Sequence, residues 1–247
     1  LTIDSGSSFY MDYGGGASGG ILTVGGNLVN NGTFTLGNAV GDDLIVGGSW
    51  TRTGTFNPNS RLVTFNGSSG QTITGTTIFD YLTLNNSAGL TLQTSSAITV
   101  NQTLGLASGK IIIGANNLTI GSSGTITGYN SSNYIVTASS GKLIKQGVGN
   151  TATVFPVGFS NSNYTPITLT NTTGTSDLSV SVKQSVSNAV SDATKIVTLE
   201  WGIASSAATT ATISPTWVYA SPVNQATSFT NTGTGELGNF TSIYTTY

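Results

Sequence analysis

Cysteine and histidine are missing from this chain of 247 residues, and charge is scarce. Without cysteine there is no disulfide, no thiolate nucleophile and no thiolate metal site. Without histidine the commonest general base and metal ligand is gone. Asp, Glu, Lys and Arg make up 6% of the residues, where an ordinary soluble domain has about 25%. A formal net charge of −2 offers no basic field to hold nucleic acid or an anionic membrane. No run of about 18 apolar residues is present, so membrane insertion through a helix is not expected. The chain opens at Leu1 without a charged-then-apolar leader, which fits a mature or excised part of a longer exported protein.

What is present points to β-structure. Hydrophobic residues reach 37% and the mean hydropathy is +0.11, too apolar for a disordered chain. Thirty-three glycines, with abundant Thr, Ser and Asn, favour strands and turns over helices. A length of 247 residues suits one large or two modest domains with a real core. With so little charge, solubility rests on hydroxyls and amides.

Short apolar bursts recur along the first half. They are Ile21 to Val24, Leu44 to Val46, Leu62 to Phe65, Tyr81 to Leu84, Ala97 to Val100, Leu118 to Ile120 and Tyr134 to Val136. Measured between their last residues, the steps are 22, 19, 19, 16, 20 and 16, with a mean close to 19. A weaker phrase falls between them, as in Asn31-Gly32-Thr33-Phe34-Thr35, Thr53-Gly54-Thr55-Phe56 and Gln71-Thr72-Ile73-Thr74. A fixed period with two or three alternating strands in each repeat marks a solenoid. The fold class is therefore all-β. An N-terminal parallel β-helix of about 19 residues per coil is expected over 1–147. Seven coils at ~4.8 Å would make a rod of roughly 30–35 Å. An antiparallel sandwich also has short strands at close spacing, but it gives no reason for a common period.

Past Gly147 the texture changes. Longer alternating strands such as Leu178, Val180, Val182 each have one apolar face. A small antiparallel β-sandwich, Ig-like, is expected over 148–247, with Trp201 and Trp217 as core anchors and Ser185 to Lys195 as a loop. The opening stretch, Leu1 to Gly16, is expected to cap the first coil or to dock on a neighbouring module or subunit, because an end coil exposes unpaired edges.

One stretch carries a resemblance. Phe65, Gly67, Gln71, Ile73 and Gly75 follow the pattern F-x-G-x-x-x-Q-x-I-x-G, and Phe79-Asp-Tyr-Leu-Thr-Leu-Asn-Asn86 follows directly. This is similar to segments repeated in very large secreted and cell-surface proteins of Bacteroidetes. Phe155-Pro-Val-Gly158 and Tyr164-Thr-Pro-Ile167 resemble the β-sandwich that often follows such arrays. The resemblance implies export by the type IX route and a place at the cell surface as adhesin, stalk or filament. Its motifs are turn glycines, inward apolars and Asn turns, so it transfers no catalytic residues.

The search for chemistry yields few candidates. Asp42-Asp43 is the only acidic doublet. With nearby carbonyls it could offer hard oxygen ligands to calcium, although the spacing fits neither an EF-hand nor a glycine-aspartate repeat. Arg52 and Arg61 could instead pair with it in a surface salt bridge, a contact of little energetic weight. No second acidic pair presents itself for glycoside hydrolysis, so no enzyme activity and no other cofactor is expected. Tyr10, Tyr13, Trp50, Tyr129 and Tyr134 could stack on sugar rings or simply fill the core. Thr33/Thr35, Thr53/Thr55, Thr72/Thr74 and Thr125/Thr127 could form an ice-ordering face, or could reflect the preference of Thr for strands. The reading that follows is a structural or adhesive extracellular rod. Its expected partners are copies of itself or neighbouring modules, with surface glycans as a further partner. The alternative is a carbohydrate-binding or polysaccharide-degrading β-helix.

Overall fold

The computed structural model describes residues 1–11, 19–184, 199–216 and 234–236, the last by backbone alone. The protein is all-β, and its described residues contain no helix. Its main body is a parallel β-solenoid of about seven turns, as the sequence predicts, but with about 22 residues per turn.

Each coil runs along three faces. The first face stacks β1 (Thr2–Ile3), β4 (Leu28–Asn30), β7 (Trp50–Arg52), β10 (Gln71–Thr74), β12 (Leu90–Leu92), β14 (Ile111–Ile112), β17 (Ile135–Val136) and β20 (Val157–Ser160), all parallel. The second face begins with β2 (Ser8–Tyr10), β5 (Thr33–Thr35) and β8 (Thr55–Asn57). It continues in the first halves of β11 (Thr77–Asn85) and β13 (Ile98–Ser108), then in β15 (Leu118–Ile120) and β18 (Leu143–Val148). The third face joins β3 (Leu22–Val24), β6 (Leu44–Val46), β9 (Leu62–Phe65), the second halves of β11 and β13, and β16 (Thr125–Thr127).

This register explains the shorter period read from the bursts. The first four do stack: Val24, Val46, Phe65 and Leu84 are successive partners on the third face. The true partner of Leu84 is Leu106, 22 residues on, whereas Val100 belongs to the second face. Passing from Leu84 to Val100, and again from Ile120 to Val136, stops one face short of a full turn. Those two short steps, together with the 19-residue turns from Val46 to Phe65 and from Phe65 to Leu84, bring the mean down to 19.

Alternation sends every second side chain inward. In β10, Gln71 and Ile73 are buried while Thr72 and Thr74 are half-buried. The core changes character along the axis. Coils one to four are filled by Phe9, Phe34, Phe56, Trp50, Phe65 and Phe79, whose ring centroids lie 4.9–6.5 Å apart in edge-to-face and tilted pairs. Coils five and six are filled by aliphatic residues such as Leu92, Val100, Leu104, Ile111 and Ile120. Gly109 turns a corner with φ at +90°, and a Cβ there would sit 1.9 Å from the Asn86 carbonyl of the previous coil. Only glycine fits that close approach.

Beyond the last coil the pairing becomes antiparallel. β18 is parallel to β15 on one side and antiparallel to β23 (Ser176–Lys183) on the other, and β23 pairs with β24 (Glu200–Ser205). A second antiparallel sheet holds β19 (Thr153–Phe155), β22 (Ile167–Asn171), β25 (Thr210–Pro215) and β26 (Thr234–Glu236). Apolar residues of both sheets share one core, including Leu169, Ile213, Leu178, Val180 and Trp201. One layer of this sandwich thus extends the second face of the solenoid. Trp201 is buried and its indole N–H donates to the Thr165 carbonyl at 3.0 Å, an anchor as expected. Trp217 and the Ser185–Lys195 loop fall outside the described residues. The opening segment is itself the first coil: β1 and β2 pair in register with coil two, so Thr2–Ile3 and Ser8–Tyr10 do not fold over the end as a cap.

Candidate functional site

The Asp42-Asp43 doublet lies in the corner before β6. The Asp42 side chain is buried and accepts two backbone N–H bonds, from Gly20 to Oδ1 and from Ala39 to Oδ2, each 2.8 Å. Asp43 Oδ1 accepts the Leu62 N–H at 2.9 Å. Neither arginine forms a salt bridge with the doublet. Arg52 donates to the Thr76 carbonyl, and Arg61 donates to Ala39 O at 2.8 Å and Asn59 O at 3.2 Å. A buried carboxylate needs donors, and the backbone of the adjacent coil (Gly20) and of its own corner (Ala39) supplies them. Among the described residues no group of three or more acidic side chains gathers as a metal would need.

The sugar-stacking candidates are dispersed. Trp50 and Tyr134 are fully buried. The Trp50 indole N–H donates to Thr77 Oγ1 at 3.3 Å. Tyr129 packs against the core, Tyr10 is exposed on the first coil, and Tyr13 falls outside the described residues. The threonine pairs lie on different faces: Thr33/Thr35 on the second, Thr72/Thr74 on the first and Thr125/Thr127 on the third. The outward column that does align on the third face runs Thr23, Ile45, Thr64, Thr83, Gly105, Thr127 and mixes hydroxyls with an aliphatic and a glycine.

A different use of polar groups emerges from the geometry. The side chains of Asp80, Asn101, Asn116, Asn133 and Lys145 all bond one coil up or down. Asp80 takes the Ser60 N–H at 2.7 Å and the Asn101 Nδ2–H at 3.0 Å. Asn116 accepts from Ser96 N and donates to Leu92 O. Asn133 accepts from Gly109 N and donates to Ala107 O. The Lys145 ammonium donates to Gly121 O, Ser122 O and Gln146 O at 2.7–2.9 Å, and burial lowers its pKa against the opposing pull of Asp177. The sequence marks these residues only as turn formers. Their common spacing of 20 to 26 residues from their partners on adjacent coils is the signal that identifies them as clips between coils.

At the junction with the sandwich, Asn171 is buried. Its Nδ2 donates to Val148 O at 3.2 Å, Ser176 Oγ at 3.0 Å and Thr209 Oγ1 at 3.4 Å. At the other end of β23, a cleft of about 240 Å³ is lined by Ser140, Lys142, Ser181, Lys183 and Glu200. Lys183 and Glu200 form a salt bridge at 3.2 Å.

Tyr134 and Tyr164 stack at 5.2 Å, with Lys110 over the Tyr134 ring, also at 5.2 Å. Burial pushes both phenols up to about 12; Tyr129 adds to the shift at Tyr164, and a backbone bond from Asn163 opposes it at Tyr134. A folded-state pKa above the unfolded value of ~10 means that the folded chain holds its protons longer. Their stabilisation is complete below pH 10 and is lost as pH climbs toward 12. The urea midpoint is expected to fall across that interval, and less steeply in the Tyr134→Phe, Tyr164→Phe double variant. Equal slopes in the two proteins would refute the assignment.

Comparison of the chain with known protein families, curated proteins and solved structures returns no match. The class that the fold defines is a β-solenoid closed by antiparallel sheets.

Proposed function

We propose that the chain is a structural, non-enzymatic part of an extracellular protein, a rigid rod at a cell surface. The observation that supports this most is the use of polar side chains. Asp42, Asp43, Asp80, Arg52, Arg61 and Lys145 each bond to backbone of an adjacent coil. Groups that would serve a reaction are spent on stiffening a column. Three ladders of parallel strands, bonded along the axis, make bending costly because a bend at any joint between coils must strain all three ladders there. The placement outside the cell and the type IX route rest on the resemblance of Phe65 to Asn86 to secreted Bacteroidetes repeats.

The rival reading, a carbohydrate-active β-helix, needs exposed aromatic platforms, and burial of Trp50 and Tyr134 weighs against it. A glycan array combined with reducing-end assays on polysaccharides separates the two. The expected result is no saturable binding and no released ends. Saturable binding of one glycan class, or release of reducing ends, would overturn the rod proposal.

A further inference from the structure

The three ladders do not end at the same level. Past coil six, the first continues through β17 and β20 and is extended by β21 (Asn163–Tyr164). The second continues through β18 into β23 and β24. The third stops at β16. Its next rung would come from the residues after β18, but there the chain swings out to form β19, which pairs antiparallel with β22 in the other sheet. Among the described residues β16 pairs with β13 alone.

The side chains record the absent seventh rung. Leu44, Val63, Leu82, Leu104 and Ile126 form one inward column. The first four are at most 1% exposed, whereas Ile126 is only half-buried. Outward, Thr125 and Thr127 are exposed, while Thr103 and Thr83, one and two rungs below, are half-buried. The backbone agrees. On this face the inward residues bond forward to the next coil: Leu22 N donates to Asp43 O, Val24 O accepts from Gly47 N, and Val46 O accepts from Asn66 N. A parallel ladder keeps that alternation. Leu104 therefore makes the bonds to β16, and the N–H and C=O of Ile126 face past the end of the ladder.

We propose that an extended segment of a partner polypeptide docks on this edge and adds the seventh rung of the third face by strand addition. The edge dictates the chemistry of that segment. One apolar side chain covers Ile126 from above, as Leu104 covers it from below, and polar residues flank it beside Thr125 and Thr127. Charge is disfavoured, because Ser122 to Ser132 contain no acidic or basic residue and the Lys145 ammonium is already bonded to three carbonyls. A second folded copy does not fit. β17 and β18 stand one level above β16 and β20 stands two above it, so two such recessed edges cannot meet. A single strand, at ~4.8 Å per rung, does fit. The proposal stands apart from the rod reading, since the third face is one rung short whatever the solenoid carries.

Peptide titration with amide hydrogen exchange on the 247-residue chain tests it. The probe is a capped synthetic peptide copying Gln102 to Ser108, the stretch of β13 that already pairs with the opposite edge of β16. Before peptide is added, the Ile126 amide should exchange at least about tenfold faster than the paired Leu104 amide. At saturation it should slow by about tenfold or more, with NMR shifts centred on Gly124 to Gly128. A peptide carrying Leu104→Asp should bind at least about tenfold more weakly, because it loses the apolar cover. In the chain, Ile126→Pro removes the forward N–H and leaves the bonds to β13, a change that edge strands tolerate. It should weaken the peptide by about tenfold. An Ile126 amide protected in the free chain would mean that the edge is already covered, and would overturn the proposal. So would an absence of binding at millimolar peptide, shifts centred on another strand, or equal affinity for the Leu104→Asp peptide. All of those readings use the unaltered chain, so they decide the matter even if the proline variant fails to fold.

Discussion

Replacing Trp50 by alanine is expected to cost about 4 kcal/mol of stability, near the upper range for deleting a buried aromatic. Trp50 is fully buried and touches Phe56, Phe65 and Phe79 with ring centroids at 4.9, 6.5 and 5.5 Å. Those rings come from coils three and four, so the indole joins two layers of the column. The wall around it is built from short hydrogen-bonded strands that cannot slide inward to fill the space, and the cavity therefore stays open. The variant also frees Thr77 Oγ1 in a buried site. Because a solenoid is held by nearest-neighbour contacts, the damage should be local first. Hydrogen exchange is expected to quicken in coils one to three before it does in coils five to seven. Denaturant unfolding gives the total loss. A change below about 1 kcal/mol, the ordinary value for a surface substitution or slightly above it, would mean that this aromatic column does not form. Trp50→Phe should lose much less, since it keeps a ring in the layer and gives up only the bond to Thr77.

The coil architecture was legible because apolar bursts on one face repeat through backbone geometry that the sequence cannot disguise. From Val24 to Leu84 the bursts name the real partners of the third face. Legibility failed where two faces carry the same phrase: Ala97 to Val100 looks like Tyr81 to Leu84, yet it sits on the second face, because β13 runs on through the corner at Asn101-Gln102 as one continuous strand. Trp201 was readable from its place in an alternating strand. Trp50 was not assignable, because a buried ring and a sugar platform have the same sequence. The roles of Asp42, Asn116 and Asn133 were hidden for another reason. A side chain that bonds backbone one coil away leaves no trace in residue type, only in a separation that becomes meaningful once the true period is known.

The second large effect falls on Gln71, the glutamine of the F-x-G-x-x-x-Q stretch. Its buried amide spans three levels of the column. Nε2 donates to Val46 O at 2.9 Å and Gly48 O at 2.5 Å, while Oε1 accepts from Gly67 N at 2.9 Å and Asn86 Nδ2 at 3.0 Å. Gln71→Leu keeps the volume and leaves those groups without a partner, at about 3 kcal/mol by the usual cost of buried unsatisfied polar atoms. Gln71→Ala should cost less, because the space it opens is lined by polar groups and can admit water. Gln71→Glu gives the sharpest reading. Ionised, it would aim a carboxylate at two carbonyls; protonated, it still has one O–H to donate. Its folded-state pKa must then rise above the unfolded value of ~4.3. Relative to the parent chain, this variant is expected to be least impaired below pH 4.3 and to weaken as pH rises through that folded-state pKa. Measured urea midpoints at pH 4 and pH 8 decide it: an equal deficit at both would place Gln71 in contact with water rather than between coils.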